Sequence, residues 1–112
     1  MAKLETTLTG SIDQWARRIE AGLLEGSVSA SVADRSEFQS ADGESACRVL
    51  VFERFSMLRG RWVCMNVTLF RESTGLIHCS AITCGSGSAD LFGIGALGEG
   101  AFLDCLREIL EA

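Results

Sequence analysis

His78 is the only histidine in this 112-residue chain and the one side chain whose ordinary pKa lies near neutrality, so acid-base chemistry would begin with it. A carboxylate is needed to orient such a ring, and Glu53 is the candidate if a sheet carries it opposite. The competing reading is a histidine satisfied within a strand. No nucleophile motif accompanies His78, because Gly-Ser-Gly-Ser at 85–88 lacks the spacing of a nucleophile elbow. Five cysteines, Cys47, Cys64, Cys79, Cys84 and Cys105, are an odd number without the close pairs of a zinc site. They read as buried, reduced thiols within apolar segments. His78 and Cys79 are strand neighbours and point to opposite faces, while Cys84 lies about 20 Å along the strand from His78. Cys64 and His78 alone make a poor ligand set, so no metal and no cofactor is expected. A strand position for Cys64 beside a histidine would lower its pKa. The glycines from Gly85 to Gly100 match neither a dinucleotide fingerprint nor a P-loop, and Glu99 opposes an anion there. Tight turns and close packing explain them better.

The elements that must hold these residues follow from periodicity. Leu4, Thr6 and Leu8 alternate with Glu5, Thr7 and Thr9, which predicts a strand over Lys3–Thr9. Ser11 and Gln14 form a capping-box pattern, and Ile12, Trp15, Ala16, Ile19 and Leu23 make one apolar helix face. Gly26 suits a left-handed C-terminal cap. Val28, Ala30 and Val32 alternate with serines as a second strand, followed by a polar loop or irregular edge over Ala33–Glu44. Strands are then predicted over Ser45–Met57, Trp62–Arg71 and Leu76–Cys84, joined by hairpins. Ala89–Ala96 is weakly strand-like. Phe102, Leu103, Leu106, Ile109 and Leu110 give Glu99–Glu111 a helical apolar face. The expectation is a single α+β domain over 1–112: an antiparallel sheet of five or six strands with two helices on one face. The order of elements resembles TATA-binding-protein-like and helix-grip arrangements, a likeness that carries no function.

The wholly apolar set Val63, Met65, Val67 and Leu69 should face the helices, leaving Trp62, Cys64, Asn66, Thr68 and Phe70 on the far face. If a five-residue loop follows, Phe70 pairs with Leu76, Thr68 with His78 and Asn66 with Ser80. Asn66, Thr68, His78 and Ser80 then form a polar centre, rimmed by Trp62, Phe70, Leu76 and Ile82. The preceding strand has two solutions. A two-residue turn places Glu53 on the far face, and one extra residue at Gly60 places Arg48, Phe52 and Arg54 there instead. A charge of the Glu53-Arg54 pair that points inward needs a partner.

A net charge of −5 argues against nucleic acid and anionic membranes as partners. No stretch is long and apolar enough for a signal-peptide core or a bilayer span, so a cytoplasmic location is expected. The segments Gly26–Ser31, Phe52-Glu53-Arg54-Phe55, Ala81-Ile82-Thr83 and Phe102–Glu108 resemble those of an uncharacterised family of small bacterial proteins of unknown function. That resemblance implies a bacterial cytosolic origin and no chemistry.

Two functions fit. The first is a non-enzymatic binding or assembly domain that self-associates through the open sheet face, because Trp62, Phe70, Leu76 and Ile82 together would form a large exposed apolar patch. The second is a small-molecule binder or enzyme with a pocket around His78, Asn66 and Glu53.

Overall fold

Three hairpins, each from one strand to the next, fix most of the architecture, and a computed structural model describes residues 1–56, 60–85 and 94–112. The elements are β1 (Ala2–Leu8), α1 (Ile12–Glu25), β2 (Ser31–Gln39), β3 (Ala46–Ser56), β4 (Arg61–Arg71), β5 (Ile77–Gly85) and α2 (Ile94–Glu111). Strands β2 to β5 form a meander, and β1 joins beyond β5 to give the order β1-β5-β4-β3-β2, antiparallel throughout. Helix α1 is therefore the connection that carries the chain from one edge of the sheet to the other. The fold is α+β, as the periodicities imply.

Period-2 alternation decides which face the helices cover. Val63, Met65, Val67 and Leu69 of β4 are buried, and pairing extends that face to Leu50 and Phe52 of β3 and to Ile77, Cys79 and Ala81 of β5. Ile12, Ile19 and Leu23 of α1 and Phe102, Leu103 and Leu106 of α2 complete one core. Thr83, also fully buried, donates its hydroxyl to the Ala2 carbonyl at 3.3 Å and so meets the requirement of a buried polar group.

The start of α1 follows the expected cap: Ser11 Oγ accepts from the Gln14 amide at 3.3 Å, and Trp15 Nε1 donates to the Thr9 carbonyl at 2.8 Å. Its end does not. Gly26 has φ −77° and ψ −8°, right-handed rather than left-handed, and its N–H still bonds the Gly22 carbonyl at 2.9 Å. The chain continues into a turn closed by Ala30 N–H to Ser27 C=O at 3.4 Å, so no reversal is required at Gly26. The same turn displaces the predicted second strand. Val28 is exposed, and β2 starts at Ser31 and runs through the polar stretch to Gln39. An edge strand has solvent on most sides, which permits this polarity, and a bulge between Val32 and Asp34 blunts the edge further.

Two more boundaries differ. Helix α2 begins at Ile94, not Glu99, and takes in residues 94–96 of the segment expected to be weakly strand-like; residues 89–93 lie outside the described residues. The β4–β5 hairpin pairs Arg71 with Ile77 and Phe70 with His78, a shift of two residues from the expected Phe70–Leu76 pairing. Gly75, at φ 94°, takes the left-handed position that closes this turn, where its N–H bonds the Glu72 carbonyl at 2.9 Å. An even shift keeps every side chain on its expected face.

Helices α1 and α2 touch at Gly22, where a Cβ would stand 2.6 Å from Cδ1 and 2.8 Å from Cγ1 of Ile109. Gly22→Ala should therefore destabilise the wild type although alanine is the better helix former by about 1 kcal/mol. In an Ile109→Ala background the same change should stabilise. Urea unfolding of the four proteins checks this, and equal effects of Gly22→Ala in both backgrounds would refute the contact.

Candidate functional site

The sheet face away from the helices is a grid whose rows are set by strand register. One row runs Phe38, Cys47, Phe70, His78, Thr7; the next Ser36, Val49, Thr68, Ser80, Glu5; the third Asp34, Val51, Asn66, Ile82, Lys3. A fourth holds Ser31, Glu53, Cys64 and Cys84, and Phe55 with Trp62 closes that end. Glu53 thus lies on the far face. Arg48 and Arg54 point to the helix side, as inward parity demands. Arg48 is 11% exposed and is held by Asp13 at 3.1 Å, Glu37 at 3.8 Å and the Phe38 and Cys47 carbonyls. Arg54 lies over the Phe102 ring, 4.6 Å from its centroid, with Nη1 3.6 Å from Cys105 Sγ.

Register brings Thr68, Phe70, His78 and Ser80 together, and with Glu5 and Thr7 from β1 they line an open depression of about 490 Å³. The imidazole stacks near the Phe70 ring, with centroids 6.2 Å apart and planes at 28°. Its Nε2 contacts Glu72 Oε2 at 2.8 Å. Glu72, not Glu53, is therefore the carboxylate partner. Glu53 faces Cys64, three rows from His78, which is about 20 Å along the strands. Asn66 sits one row from the depression and accepts from Thr68 Oγ1 at 3.1 Å. The Thr68 hydroxyl proton is thus already engaged, and the ensemble offers hydrogen bonds and a ring face rather than an activated nucleophile.

The apolar rim is also redistributed. Phe38, Trp62, Phe70 and Ile82 are 62%, 51%, 42% and 38% exposed. Leu76 is not among them: the two-residue register shift leaves it half-buried in the turn after β4. Phe38 lies in a polar stretch without alternation, so no period marks it. Val49 and Val51 lie in β3, which is apolar on both faces and offers no contrast.

Only Cys79 of the five thiols is buried, and burial pushes its pKa up to about 11. Cys84 is exposed, contrary to the expectation of buried thiols. The Cys64 thiol is raised, not lowered: by burial first, then by the neighbouring Cys84 and the Glu53 carboxylate, because it faces these groups and not His78. Among the described residues no three of His, Cys, Asp and Glu stand close enough to hold a metal ion, and no helix is long and apolar enough to cross a membrane.

The chain belongs to DUF6054, a family of unknown function, which it matches over residues 1–112. No curated protein matches it. Among solved structures it is similar to a crystal structure of ginseng major latex-like protein 151 from Panax ginseng. The two share 8% identity at a TM-score of 0.27, over 98% of this chain and 94% of that one. Another crystal structure of the same ginseng protein gives 9% identity and a TM-score of 0.26, over 98% and 95% of the two chains. Likeness at that level carries no argument about ligand or activity.

Glu72 is held below the ordinary glutamate range chiefly by the Thr74 hydroxyl, which donates to Oε1 at 2.5 Å, and then by His78. A depressed folded pKa means these contacts are complete above the ordinary glutamate value and are lost as the pH falls through the lowered one. Thr74→Val should move the Glu72 carboxyl midpoint upward when its 13C shift is followed by NMR against pH. An unchanged midpoint would remove the hydroxyl as the cause.

Proposed function

We propose that this chain is a non-enzymatic assembly domain that binds a second copy of itself through the open sheet face. The observation that carries this reading is the joint exposure of Phe38, Trp62, Phe70 and Ile82 on one face, over which no described element packs. Large apolar side chains gathered on one uncovered face mark an interaction surface. The size also fits. Five strands of 7 to 11 residues, about 5 Å apart and rising about 3.3 Å per residue, present on the order of 700 Å², close to the roughly 800 Å² per partner of a standard stable interface. Two such faces pack as the layers of a sandwich, about 10 Å apart and about 30° off parallel. The contact is isologous, so one substitution alters both halves of it. Lys3 and Glu5 pair with each other at 2.8 Å on the β1 edge, at the rim of such a contact. The five free thiols fit a reducing compartment, and we take the cytoplasm as the protein's setting.

A second reading is favoured by the depression beside His78. Glu5, Thr68, Ser80 and the stacked Phe70-His78 pair would hold a small planar polar molecule by hydrogen bonds and ring contact. The two readings separate by stoichiometry. Light scattering over a dilution series should give a dimer for the wild type and a folded monomer for Trp62→Lys and Phe70→Lys, with unchanged circular dichroism. A wild-type monomer at every concentration would end the assembly reading and leave the His78 depression as the site to screen.

A further inference from the structure

Cys64 and Cys84 are directly opposed partners on β4 and β5, on the open face and in the row beside Ile82. Their spacing follows from the hairpin. The Glu72 N–H donates to the Leu76 carbonyl at 3.0 Å, so that pair is hydrogen-bonded, and antiparallel alternation makes every second pair from there hydrogen-bonded, Cys64–Cys84 included. Such a pair has Cα atoms about 5.5 Å apart, inside the range of about 4.4–6.8 Å that a disulfide spans. Its Cβ atoms, up to about 5.5 Å apart, must close to about 4 Å for the bond to form. No other thiol competes for either partner: Cys79 is buried on the opposite face, Cys105 is on α2 against Arg54, and Cys47 pairs with Phe70 three rows away.

We infer that Cys64 and Cys84 are a cross-strand dithiol that closes to a labile intrachain disulfide by exchange with a small-molecule disulfide such as oxidised glutathione. Cys84, the more exposed, attacks one sulfur of the oxidant as its thiolate; a mixed disulfide forms and the first small thiolate leaves and is protonated. Cys64 then gives up its proton to solvent and attacks the Cys84 sulfur, and the second small thiolate leaves. Two protein thiols are oxidised and one disulfide molecule is reduced to two thiols. The upward shift of Cys64 agrees with this assignment of roles, since burial, Cys84 and Glu53 all disfavour its thiolate and make it the resolving partner. Drawing the two strands together to close the bond strains it, and strained disulfides are the easily reduced ones.

The bridge is intrachain and does not depend on dimerisation, but a docked second copy would cover it, so the experiment includes a monomeric variant. Wild type, Cys64→Ser, Cys84→Ser and Phe70→Lys are incubated with oxidised glutathione without denaturant, alkylated and weighed intact. Phe70→Lys should lose two hydrogens per chain without a glutathione adduct, and excess reduced glutathione should reverse the loss. Cys64→Ser should stop as an adduct on Cys84. The wild type should close at the same rate if monomeric and more slowly if its face is covered. An adduct that persists on Cys84 in Phe70→Lys, no reaction there, or a bridge that resists reduced glutathione would each overturn the inference. Failure of dimerisation alone would not, because closure in Phe70→Lys is read separately.

Discussion

The alternation of Val63, Met65, Val67 and Leu69 on the central strand is the constraint from which the rest of the molecule is laid out. It turns one face of β4 toward the helices, and pairing then dictates the facing of every residue on its neighbours. Neither helix can shift this assignment, because Ile12, Ile19 and Leu23 on one and Phe102 and Leu106 on the other meet the same stripe from above. The open face exists because both helices are spent on one side. Its rows of Thr, Asn, Ser and His with aromatic residues at the ends are a by-product of that choice as well as the surface on which recognition has to be built.

Much of this was legible in the residues. Strong alternation in β4 and the striped patterns of α1 and α2 need no tertiary information, because the period itself encodes which side is covered. The register of the β4–β5 hairpin was less accessible. Its turn is defined by Gly75 in a left-handed conformation and by a carbonyl–amide bond inside the loop, and the strands on either side accept either register without changing face. That is why Thr68, His78 and Ser80 were found together while their direct pairings, and the place of Leu76, were not. Edge strand β2 was hidden for a different reason: a strand with a single neighbour has little to bury, so its sequence resembles a loop. The start of α2 was masked by glycine, whose low helical propensity was outweighed by the packing of its later turns.

The carboxylate beside His78 shows how distance along the chain misleads. Glu53 was the obvious partner because a hairpin could bring it across, yet the ladder places it near the opposite end of the face. Glu72, six residues before the histidine, reaches it by folding back from the turn. The Glu53-Arg54 pair illustrates the same geometry in reverse. Consecutive strand residues part company, so the carboxylate faces solvent while the guanidinium finds an aromatic ring and a thiol beneath the sheet.

Strand β1 completes the sheet by pairing with β5, as in Leu8 with Ile77, although more than half of the chain lies between them. A ribosome releases β1 well before β5, so during synthesis this strand and the helix behind it wait for the sheet they join. The closing step carries the loop entropy of the intervening residues and adds long-range pairing to a sheet otherwise built from sequential hairpins. Folding should therefore be a late and comparatively slow event. Until it happens, the nascent chain exposes an apolar meander at both its faces and at the edge that β1 will occupy. Such a chain has a reason to rely on the cell's folding machinery that its small size would not suggest.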